Sequence, residues 1–120
     1  KSANAALNSV STGATIATAG AIDNAVTDVS ATDGYFLDVA FTDHATGTGT
    51  VTQAANYGQE YDGEATHGGT LSTSFQPVAA SRGTTAGDTL TFKELARISA
   101  VQAAAADYTD TLTVVAAGRF

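Results

Sequence analysis

Cysteine, methionine and tryptophan are missing altogether from these 120 residues, proline occurs once, and only five side chains are lysine or arginine. The lack of cysteine removes disulfides, zinc–thiolate centres and thiol nucleophiles together. With no tryptophan or methionine, the large apolar side chains are mostly the four tyrosines, five phenylalanines and a few leucines and isoleucines, among many alanines and valines. Such a supply fills a thin core, which favours two packed sheets over a thick interior. The cations Lys1, Arg82, Lys93, Arg97 and Arg119 are all isolated from one another, and the net charge is −7. Phosphate backbones need clustered lysine and arginine, so nucleic acid is not an expected partner. No run approaches the roughly 18 apolar residues that span a bilayer, and no membrane insertion is expected. There is no Asn-x-Ser/Thr sequon for N-linked sugar.

The length suits one domain able to bury a small core. A chain opening on Lys1 and rich in threonine, alanine, glycine and aspartate fits a processed, exported protein. Period-two alternation dominates what is present. In residues 35–41 Tyr35, Leu37, Val39 and Phe41 fall on one parity and Asp38 on the other, which predicts a core strand. Residues 49–53 predict a short strand. Leu71, Thr73 and Phe75 predict another, closed by Pro77. Residues 89–92 put Leu90 and Phe92 on one side. In the terminal stretch Tyr108, Leu112, Val114 and Ala116 share one parity, and Thr109, Thr111 and Thr113 the other. Residues 19–33, 56–69 and 79–87 are rich in turn formers and read as loops and links. Residues 93–106 read as an alanine-rich connection in which a helix competes; we expect strand over residues 96–101 and loop over the alanines. About seven short strands separated by turns predict an all-β fold, an immunoglobulin-like antiparallel sandwich.

The N-terminus changes parity between Leu7 and Val10, which predicts two extended pieces with a kink and an interruption at Gly13. We therefore divide the chain into an extension, residues 1–13, and a sandwich, residues 14–120.

The C-terminal motifs Gly87-Asp-Thr-Leu-Thr-Phe, Ala96-Arg-Ile-Ser-Ala and Asp107-Tyr-Thr-Asp-Thr-Leu-Thr-Val resemble the C-terminal half of the spore coat U family, the pilin domain of archaic chaperone–usher pili. The resemblance covers the last third of the chain. That family usually carries a disulfide, absent here, and often has glycine where this chain has Ala96. What the resemblance implies is a sandwich lacking its final strand, a homopolymer built by β-strand addition, and a periplasmic chaperone and outer-membrane usher during assembly. It implies a donor strand with Ala3, Ala5, Leu7 and Val10 inward, and an acceptor groove bordered by Tyr108, Leu112, Val114 and Ala116. The location implied is an extracellular filament on the cell surface.

Catalysis is not expected: there is no Gly-x-Ser-x-Gly, and His44 and His67 sit in no recognisable frame. Gly47-Thr-Gly49 lacks the lysine of a phosphate loop. The acidic residues Glu60, Asp62 and Glu64, with His67, are the one cluster suited to a hard cation; the expectation is that they are solvated, with no cofactor or metal. Two alternatives stand beside the filament. One is a self-contained sandwich decorating a capsid or surface layer, with both termini folded onto their own domain. The other is a small calcium- or carbohydrate-binding module using Tyr57, Tyr61 and the acidic loop.

Overall fold

The strand β4, Gly34–Thr42, is buried from residue 34 to residue 39 and organises the molecule. The computed structural model describes residues 1–18, 27–28, 34–42, 46–47, 49–54, 57 and 67–118, and these are all-β, with no helix among them. The strands form antiparallel sheets in a sandwich-like arrangement. Of the predicted row, Tyr35, Leu37 and Val39 lie in the core cluster and the Phe41 side chain lies outside those described; the opposite-parity residues Phe36 and Asp38 are buried too. β4 is therefore covered on both faces. In sequence only the first row is an uninterrupted apolar pattern, because Asp38 breaks the second.

The first layer is a four-stranded sheet in the order β10, β4, β7, β3, made of β3, Thr27–Asp28, β7, His67–Thr70, and β10, Thr89–Arg97. β4 and β10 pair over nine positions, from Gly34 opposite Arg97 to Thr42 opposite Thr89. Beyond them β5, Thr46–Gly47, pairs with β9, Thr85–Ala86. Then β6, Thr50–Gln53, pairs with β8, Ala79–Arg82. These pairings form one long two-stranded ribbon that doubles back on itself. At its inner end Gln53 Nε2 donates to Val39 O at 2.7 Å, and Val39 N–H to Tyr57 O at 2.8 Å. Where β6 leaves β5, Gly49 N–H donates to Thr84 O, and a Cβ on Gly49 would lie 2.8 Å from the backbone of Gly83. Only glycine allows that approach. The molecule is elongated, 50 × 25 × 23 Å, with a radius of gyration of 15.6 Å.

The second layer is built from the two ends of the chain. β1, Ala6–Asn8, and β2, Thr15–Ala17, form an antiparallel hairpin, closed by a turn at residues 10–13 in which Gly13 has φ of 70°. Two extended pieces are present, but Val10 and Thr12, expected in the second of them, lie in the turn, and β2 begins beyond Gly13. Ile16 and Leu7 from this hairpin, with Tyr108 and Leu112 from the C-terminal stretch, pack on Tyr35, Leu37 and Val39. Transfer of such side chains from water, about 25 cal/mol per Å² of apolar surface, drives the two layers together.

Several boundaries differ from the sequence reading. β10 continues through residues 93–95, which were expected to open a connection, and takes in Ala96 and Arg97 of the strand expected over 96–101, because each has a partner on β4. Residues 98–101 are not strand; a turn is closed there by Gln102 N–H donating to Ser99 O. The alanines at 100 and 103–106 form neither helix nor strand, since a short helix gains little without a face to bury. Of the segment 71–78 only Leu71 is fully buried; the backbone is irregular and Phe75 is exposed. Strand β7 instead precedes it, taking residues read as loop. The link 79–87 contains β8 and β9. The turn-forming stretch 19–26 and 29–33, the acidic residues 60, 62 and 64, Tyr61 and His44 lie outside the described residues.

Candidate functional site: the seat of the N-terminal segment

The dipeptide repeats of the C-terminal stretch extend its backbone, and alternate residues then turn their N–H and C=O groups to the same side. Thr109, Thr111 and Thr113 turn theirs to the N-terminal segment. Asn8 and Thr109 exchange two bonds of 3.0 Å, Ala3 N–H donates to Thr111 O at 2.9 Å, and Thr113 N–H donates to Lys1 O at 2.8 Å. Lys1 N donates back to Thr113 O at 2.8 Å. On the far side of the segment, Ser2 N–H donates to Ser72 O at 2.9 Å, and β2 pairs with β1. The N-terminal segment thus lies inside the second layer with neighbours on both sides, and is regular strand only over β1.

Two aspartates lock this seat. Asp107 accepts from Ser9 Oγ at 2.6 Å, Ser11 N–H at 2.8 Å and Ser11 Oγ at 2.9 Å. The Ser9 hydroxyl first, then the Ser11 N–H and hydroxyl, hold its carboxyl down to about 2. Asp110 accepts from Ser2 Oγ in a short bond and from Asn4 N–H at 3.2 Å. Each serine also accepts from a backbone N–H three residues on, Ala5 to Ser2 at 2.6 Å and Thr12 to Ser9 at 3.2 Å. Both hydroxyls are buried and fully used, which is what makes their burial tolerable.

The Asp110 contact also reshapes the segment. Ser2 faces Leu112 and Asn8 faces Thr109, so residues 3–7 lie against only Asp110 and Thr111. The surplus is taken up by a bend in which Ala5 has φ of 50°. The regular alternation 3, 5, 7 is broken there. Of the expected inward residues, Leu7 packs on the core, Ala5 is half-buried in the bend, Ala3 is exposed, and Val10 is 88 % exposed at the hairpin turn. Ala6 and Ser2 take the buried positions instead. Of the expected groove residues, Tyr108 and Leu112 pack on the core, while Val114 is 58 % exposed and Ala116 is exposed. The pairs of Ser2 and Ser9 with Asp110 and Asp107 were missed in the sequence, since nothing local marks them and only the fold brings them together.

Past Lys1 the seat opens into an apolar groove of about 70 Å³ between residues 72–78 and 112–115, floored by Leu37, Tyr57, Leu71 and Phe92. The Lys1 ammonium stands 5.4 Å from the centre of the Phe75 ring at its rim. Tyr57, a candidate ligand-binding side chain, is buried and donates its hydroxyl to Thr70 O at 2.9 Å. Among the described residues no three histidines or carboxylates gather to hold a metal. Tyr35 donates its hydroxyl to Glu94 at 2.8 Å, and burial, then Glu94, push its pKa far upward. Burial raises Asp38 as well, with Lys93 opposing it from the facing position on β10.

No family model matches this chain, and neither a curated protein nor a solved structure is significantly similar to it.

Proposed function

We propose that the chain is a structural subunit of an extracellular filament, in which the N-terminal segment passes to the next copy as a donor strand. The observation that carries this reading is the seat itself. Residues 1–8 lie antiparallel to residues 109–113, held mainly by backbone bonds and hydroxyl–carboxylate pairs, with Ala6 and Leu7 as the apolar anchors. A second copy offers every one of these partners in the same geometry, so exchange of the segment costs little beyond opening the hairpin turn. The apolar groove past Lys1 gives an incoming strand further surface to cover. On this reading a chaperone shields the empty seat before assembly, because it exposes unpaired backbone beside apolar side chains.

One observation favours a second reading, the self-contained module of a capsid or surface layer. The hairpin turn is tightly closed, with Ser9 N–H donating to Ala14 O at 2.9 Å and Gly13 N–H to Ser9 O at 3.0 Å, which keeps the segment on its own domain. Sedimentation and negative-stain imaging of the intact chain beside a version lacking residues 1–12 separate the two. Strand donation gives filaments from the intact chain only, and a peptide of residues 1–12 rescues folding of the shortened one. Equally stable monomers from both overturn it and leave the self-contained module.

A further inference from the structure

The C-terminal stretch has a second side. Thr109, Thr111 and Thr113 bond to the N-terminal segment, so the backbone groups of Asp110, Leu112 and Val114 point the other way. Among the described residues none of those N–H or C=O groups has a hydrogen-bond partner. Among the described residues the second layer therefore ends in an open edge.

Open edges are normally blunted by charge. β10, the outer strand of the first layer, carries Lys93, Glu94 and Arg97. An antiparallel pair of β10 edges centred on the charged residues would set Lys93 against Lys93 or Glu94 against Glu94. Residues 108–116 carry one charge, Asp110, and its carboxylate is already turned to Ser2 and Asn4. The edge is unguarded and apolar, with Val114 and Val115 exposed.

We infer that this edge is a homodimer interface, in which residues 108–116 of two copies pair antiparallel about Leu112. Its sequence is self-complementary in that register. A two-fold axis normal to the sheet keeps each residue on its own face, so only residues of equal parity can face one another. With Leu112 on the axis, Thr111 faces the second copy's residue 113, Asp110 faces residue 114, Thr109 faces residue 115 and Tyr108 faces residue 116. Threonine pairs and β-branched pairs are favourable cross-strand neighbours, a large residue meets a small one at the end, and no like charges oppose. The unpaired backbone groups are those this register requires, since Asp110, Leu112 and Val114 fall in its hydrogen-bonded pairs. The contact is isologous and closes on itself, unlike the head-to-tail exchange of the N-terminal segment.

The chain has no cysteine, so introduced thiols report cleanly. In a T111C/T113C variant both thiols lie on exposed positions of the outer face, and each faces the other type across the axis, at a non-hydrogen-bonded position where strands are closest. Mild oxidation is expected to give a covalent dimer on a non-reducing gel. V114P removes an edge N–H that has no partner in the monomer, and it is expected to leave the melting curve unchanged while shifting sedimentation from dimer to monomer. A chain that sediments as monomer at all concentrations, or dimers that survive V114P and fail to cross-link, overturn the inference. Filaments from a T111C/T113C chain whose edge does not cross-link keep the donor-strand reading and dispose of this one.

Discussion

β4 and the C-terminal stretch share the same written pattern, aromatic and aliphatic residues alternating with polar ones, yet they occupy opposite kinds of position. β4 lies between β10 and β7 and is covered on both faces. The C-terminal stretch is paired on one side only, and past Thr113 its side chains stand in solvent. Alternation establishes that a chain is extended and which side chains share a face. Position within a sheet depends on what the rest of the chain lays beside it, and that decides how much each residue contributes.

The sharpest break of the comparison is by truncation. Phe36 is 0 % exposed, and Phe36→Ala is expected to cost about 3–5 kcal/mol by urea denaturation. Val115 on the C-terminal stretch is 68 % exposed, and Val115→Ser is expected to stay within about 0.5 kcal/mol. Equal losses at the two sites would mean that the C-terminal stretch is buried in solution.

The next largest effect concerns the polar lock. Ser9→Ala removes the shortest of the three bonds to Asp107, leaving those from Ser11, and takes the shared acceptor from the Thr12 N–H and hydroxyl, at an expected cost of about 1–3 kcal/mol. Hydrogen exchange should localise the loss to residues 1–17 and leave β4 protected. Uniform loss of protection would show that the two ends of the chain are not a separable layer.

Acid sharpens the same contrast. Asp107 is lowered from the ordinary aspartate range to about 2 by its Ser9 and Ser11 bonds. A depressed carboxylate adds stability that is complete above its unfolded pKa, near 4, and is lost as pH falls through the folded value. Amides of the N-terminal segment are therefore expected to lose protection between about pH 4 and pH 2 before those of β4, an order that Asp107→Asn should abolish. The smallest effect is at Ala5, whose φ of 50° strains an L-residue. Ala5→Gly is expected to gain about 0.5–1 kcal/mol, the relief of strain exceeding the added freedom of the unfolded chain. Thermal melts that show a loss would mean that Ala5 is extended in solution, as a regular donor strand requires.

The all-β class, β4 and its inward row, the short strand at residues 50–53 and the broken N-terminal strand were legible because each rests on local periodicity or a turn-forming residue. β8, β9 and residues 93–95 of β10 were not. Their residues are polar or small, and they are strands because β4, β5 and β6 present partners at the right register. At the candidate site, Leu7, Tyr108 and Leu112 could be picked out as apolar residues on an alternating face. Ser2, Ser9, Asp107 and Asp110 could not, since small polar residues pair at separations about as long as the chain itself.

By itself the sequence determined that this chain folds as extended segments around a thin core, without disulfide, thiol chemistry or a clustered basic surface, because composition and alternation act locally and need no partner. Only the tertiary structure decided that the two ends of the chain meet, that Ser2 and Ala6 displace Ala3 and Val10 from the interior, and that one strand edge is left open. Those outcomes depend on which backbone groups find partners, and a hydrogen bond between residues a hundred positions apart leaves no local signature in the chain.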